Sequence, residues 1–222
     1  MCGRYTIIET DELGQRYNVA IGDKIKPNYN AAPSQTLPVV SNTASGKHLE
    51  LMCWGFLPVW AKDPKIGYKL INARSESVFD KPMWKKAITS SRCLIPASGF
   101  NEWKAEQGGK QPFYIHPKSL PIFSFAGVWS TWHDPSGQEV NTYSILTTEP
   151  NAEMSSIHNR MPVILHPEDE EDWLNPDLSE QQDIERYLRP LEDDALETFP
   201  VSKAVNVVKT NDETLVLPIN SQ

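Results

Sequence analysis

The sequence predicts an α+β fold: a strand-rich, mostly antiparallel, barrel-like core with flanking helices, in a single domain over residues 1–222. Three observations carry this. The apolar segments are short and separated by turn chemistry, two of the separators have hairpin composition, and helical periodicity is confined to a few places. Strands and helices do not alternate, which argues against a doubly wound parallel sheet. A length of 222 residues suits one β-rich domain, since these reach roughly 250 residues.

Strands are expected over 49–56, 69–72, 93–95, 111–115, 122–129 and 142–147. Gln107-Gly108-Gly109-Lys110 and His133-Asp134-Pro135-Ser136-Gly137 read as hairpin loops, and consecutive hairpins imply antiparallel pairing. A helix is expected over 77–89, where Phe79, Met83 and Ala87 fall at i, i+4 and i+8. Trp84 and Ile88 widen that face and leave Lys85 and Lys86 towards solvent. Residues 150–157 read as a short helix with Met154 and Ile157 inward. Acidic helices follow over 167–174 and 179–188, the second with Ser179 as N-cap. The 18 prolines are spread out, so they punctuate short elements rather than mark a linker.

A hydrophobic fraction of 39% and a mean hydropathy of −0.46 suit a soluble globule. No stretch approaches the ~18 apolar residues of a membrane helix. Met1-Cys2-Gly3-Arg4-Tyr5 has no apolar signal core, so the expected address is the cytoplasm, and monomer is the default state. Cys2, Cys53 and Cys93 form no CxxC pair, so neither a zinc site nor a disulfide framework is expected, and no cofactor is implied. Cys53 and Cys93 lie in apolar strands and read as buried small hydrophobes.

The net charge of −8 argues, taken whole, against nucleic acid. It hides a division: residues 1–110 carry a net of +5, residues 111–222 a net of −13. Most of the excess acid lies over 168–197 and reads as a solvated helical face.

Cys2 is the most informative residue. Removal of Met1, the general expectation before a small second residue, places an α-amine and a thiol on adjacent carbons. The amine has a pKa of about 7.7–8.0 and is partly nucleophilic near neutrality. The thiol titrates near 8.5, and a neighbouring cation such as Arg4 lowers that value. With an aldehyde, the amine forms a Schiff base and the thiol closes a five-membered thiazolidine. Three segments offer partners for this chemistry. Asn72 and Arg74 lie two residues apart, on one side of a strand. Glu102 stands between Phe100 and Trp103, where desolvation raises a carboxyl pKa towards an acid/base range. His158 and Arg160 follow a short helix. Each also has a plain structural use: Asn72 in a turn, Glu102 paired with Lys104 on a strand surface, His158 as a helix cap. His48, His116, His133 and His166 adjoin turn-like segments and read as solvated.

Together these segments resemble one family. They are Met1–Tyr5 at the start, Asn28-Tyr29-Asn30-Ala31-Ala32-Pro33, Trp54-Gly55-Phe56-Leu57-Pro58-Val59-Trp60, Asn72-Ala73-Arg74-Ser75-Glu76, and Arg92-Cys93-Leu94-Ile95-Pro96. The Phe100–Trp103 stretch, His158–Pro162 and Val201-Ser202-Lys203-Ala204-Val205-Asn206 follow in the same order. Over nearly the whole chain this is similar to the SOS response-associated peptidase (SRAP) family. The resemblance implies binding of single-stranded DNA and a covalent thiazolidine link between Cys2 and the ring-opened aldehyde of an abasic site. It implies that Asn72 holds the lesion, Glu102 assists Schiff-base formation and His158 serves as acid/base in ring opening and reversal. Arg4, Arg74 and Arg160 would bind phosphates, Trp60 and Trp103 would contact the strand, and Asn30 and Pro33 would belong to the DNA-binding set. A Schiff base at an abasic site can promote β-elimination of the 3′ phosphate, so a lyase side reaction is expected beside the covalent link, together with self-processing and a nucleoid-associated cytoplasmic address. Two residues depart from the family pattern, Asn101 where Tyr is common and Asn159 where Asp is common. A thiol peptidase and a non-covalent single-strand binder remain alternatives.

Overall fold

In the computed structural model, which describes residues 2–22 and 24–219, the chain opens with β1 (Tyr5–Ile7), α1 (Leu13–Tyr17) and β2 (Asn28–Ala31). The hairpin of β3 (Thr36–Thr43) and β4 (Gly46–Trp54) leads to β5 (Asn72–Arg74) and α2 (Pro82–Ser90). Five long strands follow: β6 (Arg92–Ala97), β7 (Gly99–Glu106), β8 (Gly109–Pro117), β9 (Phe123–His133) and β10 (Glu139–Thr148). Short elements complete the chain: α3 (Ala152–Ser155), β11 (Met161–Pro162), β12 (Ile164–Leu165), α4 (Glu170–Leu174), α5 (Gln181–Glu185) and β13 (Leu196–Pro200).

Strands β10, β4, β3, β6 and β9 close into a ring, because β10 pairs with both β4 and β9. A second sheet, in the order β13-β8-β7-β1-β2, lies beside it. Pairing is antiparallel throughout except where β10 meets β4 and β5. The expected fold class is therefore the observed one, with a closed barrel at its centre.

Strand alternation sorts the core into two layers. Val39, Met52, Trp54, Cys93, Ile95, Phe125, Tyr143 and Ile145 face the second sheet and pack with its Tyr5, Phe100 and Ile115. Their neighbours Val40, Leu94, Ala126, Val128 and Leu146 face the helices, against Trp84, Ile88, Trp173 and Ile184. The first layer is built on aromatics. Tyr5 meets Trp54 edge-on at 5.1 Å, Trp54 stacks on Tyr143, and the Tyr5 and Tyr143 hydroxyls lie 2.8 Å apart. Each large apolar side chain buried this way stabilises by about 1.5–3 kcal/mol.

Both expected hairpins form, with Gly108, Gly109 and Gly137 supplying the positive φ of the turns. The helices are shorter than expected. Pro82 at the first turn starts α2, and Ser75–Ser77 folds as a separate 3-10 turn. Residues 167–174 split into a 3-10 turn, Pro167–Asp169, and α4. Glu180, not Ser179, stands at the start of α5. The strand expected over 69–72 begins only at Asn72, because Pro64–Lys69 is a 3-10 helix capped by Asp63.

Candidate functional site

Cys2 precedes β1, and β1 is held on both sides. Tyr5 pairs with Ala31 of β2 and Phe100 of β7. The Asn101 amide donates to the Arg4 carbonyl at 3.0 Å, which continues the register and lays Gly3 across from Glu102. Phe100 points into the inter-sheet core, so two-residue alternation sends Glu102 the same way. The two residues are 0% and 2% exposed. Glu102 therefore does not pair with Lys104 on a strand surface; Lys104 instead sits over the Phe113 ring.

Cys2 belongs to the same core layer and is fully buried. Burial pushes its thiol pKa far up, and the Glu102 charge pushes it further. The expected lowering by the Arg4 charge does not appear: Arg4 acts on the thiol only through its backbone carbonyl, desolvation outweighs that, and the Arg4 guanidinium is itself half-buried, its pKa lowered by burial. Arg4 Nη1 donates to the Gly3 carbonyl at 2.9 Å, while Nε is buried without a hydrogen-bond partner among the described residues. Cys93 is buried as expected, whereas Cys53 is only half-buried.

Asn72 reaches Cys2 from the barrel. Parallel pairing with β10 sets β5 in register, Ile145 opposite Asn72 and Thr147 opposite Arg74. The Asn72 Nδ2 donates to the Cys2 carbonyl at 2.9 Å. Its Oδ1 is buried with no hydrogen-bond partner among the described residues. Ala73 points the opposite way, into the helix-side core, and Arg74 is exposed on the side of Asn72.

The His158–Arg160 segment arrives at the end of the same strand. Asn151 caps α3, Met154 and Ile157 are buried as expected, and the His158 amide donates to the Met154 carbonyl at 2.8 Å. The helix ends at Ser155, so His158 is not its cap residue. The Arg160 amide donates to His158 Nδ1 at 3.1 Å, and the Arg160 carbonyl lies 3.3 Å from the same nitrogen. Arg160 Nη2 donates to the Thr147 carbonyl at 2.6 Å and to Glu76 Oε2 at 2.9 Å. Thr147 and Glu76 were not singled out from sequence. Glu76 lies within the Asn72–Glu76 segment and was available as a signal; a threonine inside an apolar strand offers none.

The remaining residues are spread. Trp60 is 66% exposed on the β4–β5 connection, at the mouth of a groove of about 430 Å³ that also involves Met83, Lys86 and Trp129. Trp103 is half-buried on the face of β7 opposite Glu102, and its Nε1 donates to Asn206 at 2.8 Å. Pro33 is half-buried. Asn30 is buried, and its Nδ2 donates to the carbonyls of Val205, Val207 and Thr210. It fastens the C-terminal segment to β2. His133 is exposed, while His48, His116 and His166 are half-buried; all four lie beside glutamates. Trp173, Leu174, Ile184 and Tyr187 bury α4 and α5 in the helix-side layer, away from the layer that holds Cys2. Among the described residues no group of three or more His, Cys, Asp or Glu is placed to hold a metal, and no helix is long and apolar enough to cross a membrane.

A closed barrel with a second sheet that lodges an N-terminal cysteine beside a buried carboxylate and a strand-borne amide defines a particular class of protein. Residues 1–208 match the model of the SOS response associated peptidase (SRAP) family, and the chain belongs to that family. It is 42% identical over 221 residues to the abasic site processing protein YoqW of Bacillus subtilis, covering 97% of this chain and 99% of that one. It is 30% identical over 231 residues to the abasic site processing protein YedK of Escherichia coli, covering 99% and 100%. An X-ray structure of a protein from Bacteroides thetaiotaomicron superposes with a TM-score of 0.91 at 28% identity, covering 99% of this chain and 100% of that one.

Proposed function

We propose that this chain is an abasic-site processing protein that binds single-stranded DNA and links itself covalently to the lesion through Cys2. The observation that carries the reading is the convergence on Cys2: the Asn72 amide on its carbonyl, and the β1–β7 register that sets Gly3 across from Glu102. Relatives that cover the whole chain bear the name abasic site processing protein.

The chemistry balances without redox. After removal of Met1, the Cys2 amine adds to the C1′ aldehyde and water leaves, giving an imine. The thiol then adds to the imine carbon, its proton passes to nitrogen, and a thiazolidine closes. One water is released overall. A thiol whose pKa is raised suits this order, because the amine is the stronger nucleophile near neutrality. A thiol peptidase would need the thiolate, which burial opposes. Glu102 carries the proton out of the carbinolamine, and His158 moves protons in ring opening and reversal. Asn72 holds the lesion. Ring closure removes the imine that otherwise promotes β-elimination of the 3′ phosphate, so strand cutting is a side reaction.

Affinity comes from parts that ignore sequence. Arg4, Arg74 and Arg160 take phosphates. Trp60 and Trp103 stack on bases, at about 1–3 kcal/mol each. Asn30 stands behind this surface and fixes the segment that positions Trp103, and Pro33 shapes the adjoining turn. An abasic nucleotide has no base to unstack, so the few kcal/mol of extrusion are largely absent. The protein acts as a monomer, associated with the nucleoid.

Intact-mass spectrometry of the purified protein, with and without abasic single-stranded DNA, tests the reading. The expected result is a chain lacking Met1 and an adduct short of the summed masses by one water. No adduct from the Met1-free chain sinks the proposal. Cys2→Ala keeps the amine and can still form a hydrolysable imine of the same mass, so an adduct in Cys2→Ala that survives denaturation as well as the wild-type one sinks the assignment of the thiol.

A further inference from the structure

Arg74 and Arg160 come from distant parts of the chain and meet at Thr147. Arg74 is its partner in the β5–β10 register, and the Thr147 carbonyl and hydroxyl accept from Arg160 Nη2 at 2.6 and 3.2 Å. Two guanidinium groups on one face are what an anion site is made of, and the buried Thr147, whose hydroxyl donates to the Ala73 carbonyl, braces Arg160 from behind. The site already holds an anion. The Glu76 carboxylate accepts from both Nη1 and Nη2 of Arg160 in a forked pair. Glu76 lies on the 3-10 turn Ser75–Ser77 that directly follows β5, so the same loop brings Arg74 and the carboxylate.

The exposures show which partner is outermost. The Arg160 side chain is 16% exposed, the Glu76 side chain 52%. Partial burial raises the Glu76 carboxyl pKa. The hydrogen bonds from Arg160, one within the Glu76 backbone, and the charges of Arg160 and Arg74 outweigh that and hold it below its ordinary value.

We infer that Glu76 is an internal counter-ion seated in the Arg160–Arg74 anion site, and that it limits the affinity of this face for undamaged single-stranded DNA by competing with backbone phosphate. The identity of the competing anion rests on the proposed function; the seated carboxylate does not. Two arginines and one carboxylate leave a net charge of one, and a phosphodiester reaches Arg160 only by displacing Glu76. Thr147 still anchors Arg160 when Glu76 leaves, so the site opens rather than collapses. Weak grip on intact strands suits a protein whose selectivity resides in the aldehyde.

Glu76→Gln keeps the shape and removes the charge. Fluorescence anisotropy with a labelled oligothymidylate lacking any abasic site is the readout, between ~50 and ~200 mM salt. Glu76→Gln is expected to bind roughly 5-fold tighter at the low end, a change of about 1 kcal/mol, and to steepen the salt slope by ~0.7. Glu76→Asp, which keeps the charge, should stay near wild type. The gain should vanish in Glu76→Gln/Arg160→Ala. Unchanged or weaker binding by Glu76→Gln, or a gain that survives loss of Arg160, overturns the inference. The abasic adduct is scored separately. Its absence alongside tighter binding defeats the crosslinking reading alone; a normal adduct alongside unchanged affinity defeats the counter-ion alone.

Discussion

Asn72 donates its side-chain amide to the main-chain carbonyl of Cys2 at 2.9 Å, joining residues 70 positions apart. The bond ties the start of the chain to β10, which belongs to the barrel ring and pairs directly with the strand that carries Asn72. It fixes where the Cys2 backbone sits before any substrate arrives.

Asn72→Ala removes that reference. Folding stability should drop by about 1 kcal/mol, the usual loss for one hydrogen bond. The crosslinking rate should fall further, roughly 10–100-fold, because small misplacements are costly at a reacting centre. Asn72→Asp should be worse than Ala, since it turns an acceptor towards the Cys2 carbonyl. Thermal melts and single-turnover time courses on abasic strands separate the two effects; equal rates for all three proteins would contradict the role.

Glu102→Gln should move two observables in opposite directions. The Glu102 charge opposes the Cys2 thiolate, so its removal lowers the thiol pKa and increases thiolate at any fixed pH. Alkylation of Cys2 in the unprocessed chain should therefore speed up across an alkaline pH series. Crosslinking should slow by roughly 10²–10⁴-fold through loss of the proton carrier. Peptide mapping after iodoacetamide treatment reads the first and gel assays the second. If both slow together, Glu102 is acting on structure alone.

Gly55→Ala should loosen the connection that carries Trp60. Gly55 has φ +137°, and an added Cβ would lie 2.9 Å from the Gly67 carbonyl oxygen. Neither backbone can retreat, since Gly55 donates to Tyr143 and Gly67 accepts from Leu70. A loss of about 2–4 kcal/mol is expected in urea unfolding. Intrinsic fluorescence of the folded variant should report a changed Trp60 environment.

Glu170→Ala separates stability from chemistry. Glu170 takes two bonds from Arg16 at 2.7–2.8 Å and one from Ser124 at 2.7 Å, and it is 5% exposed. Breaking such a pair costs about 3–5 kcal/mol. The pair joins α1 to α4 in the helix-side layer, so the folded variant should crosslink at the wild-type rate. A parallel loss of rate would show that the two layers are coupled.

Much of the fold could be read from the chain because its punctuation is local. The Gly108-Gly109 and Pro135–Gly137 turns specify hairpins by their own backbone preferences, and the α2 face repeats every three to four residues. What escaped lacks local signal. β1 has three residues, and β7 alternates polar with aromatic and buries Asn101 and Glu102, so neither reads as a core strand. The parallel β10–β5 pairing depends on residues 73 positions apart and leaves no trace in either segment. The same holds within the site. Asn72, Glu102 and His158 stood out as chemical types, but the burial of Asn30 depends on carbonyls from 205–210. The occupation of Arg160 by Glu76 is likewise a long-range fact.

The place of β1 between β2 and β7 has a consequence for the newborn chain. Its partner Phe100 is synthesised 95 residues after Tyr5, which at ~5–20 residues per second is about 5–20 s. Through that interval the leading residues lack half of their sheet pairing. The removal of Met1 that the proposed function requires would then fall within translation, before the segment that buries the thiol has emerged.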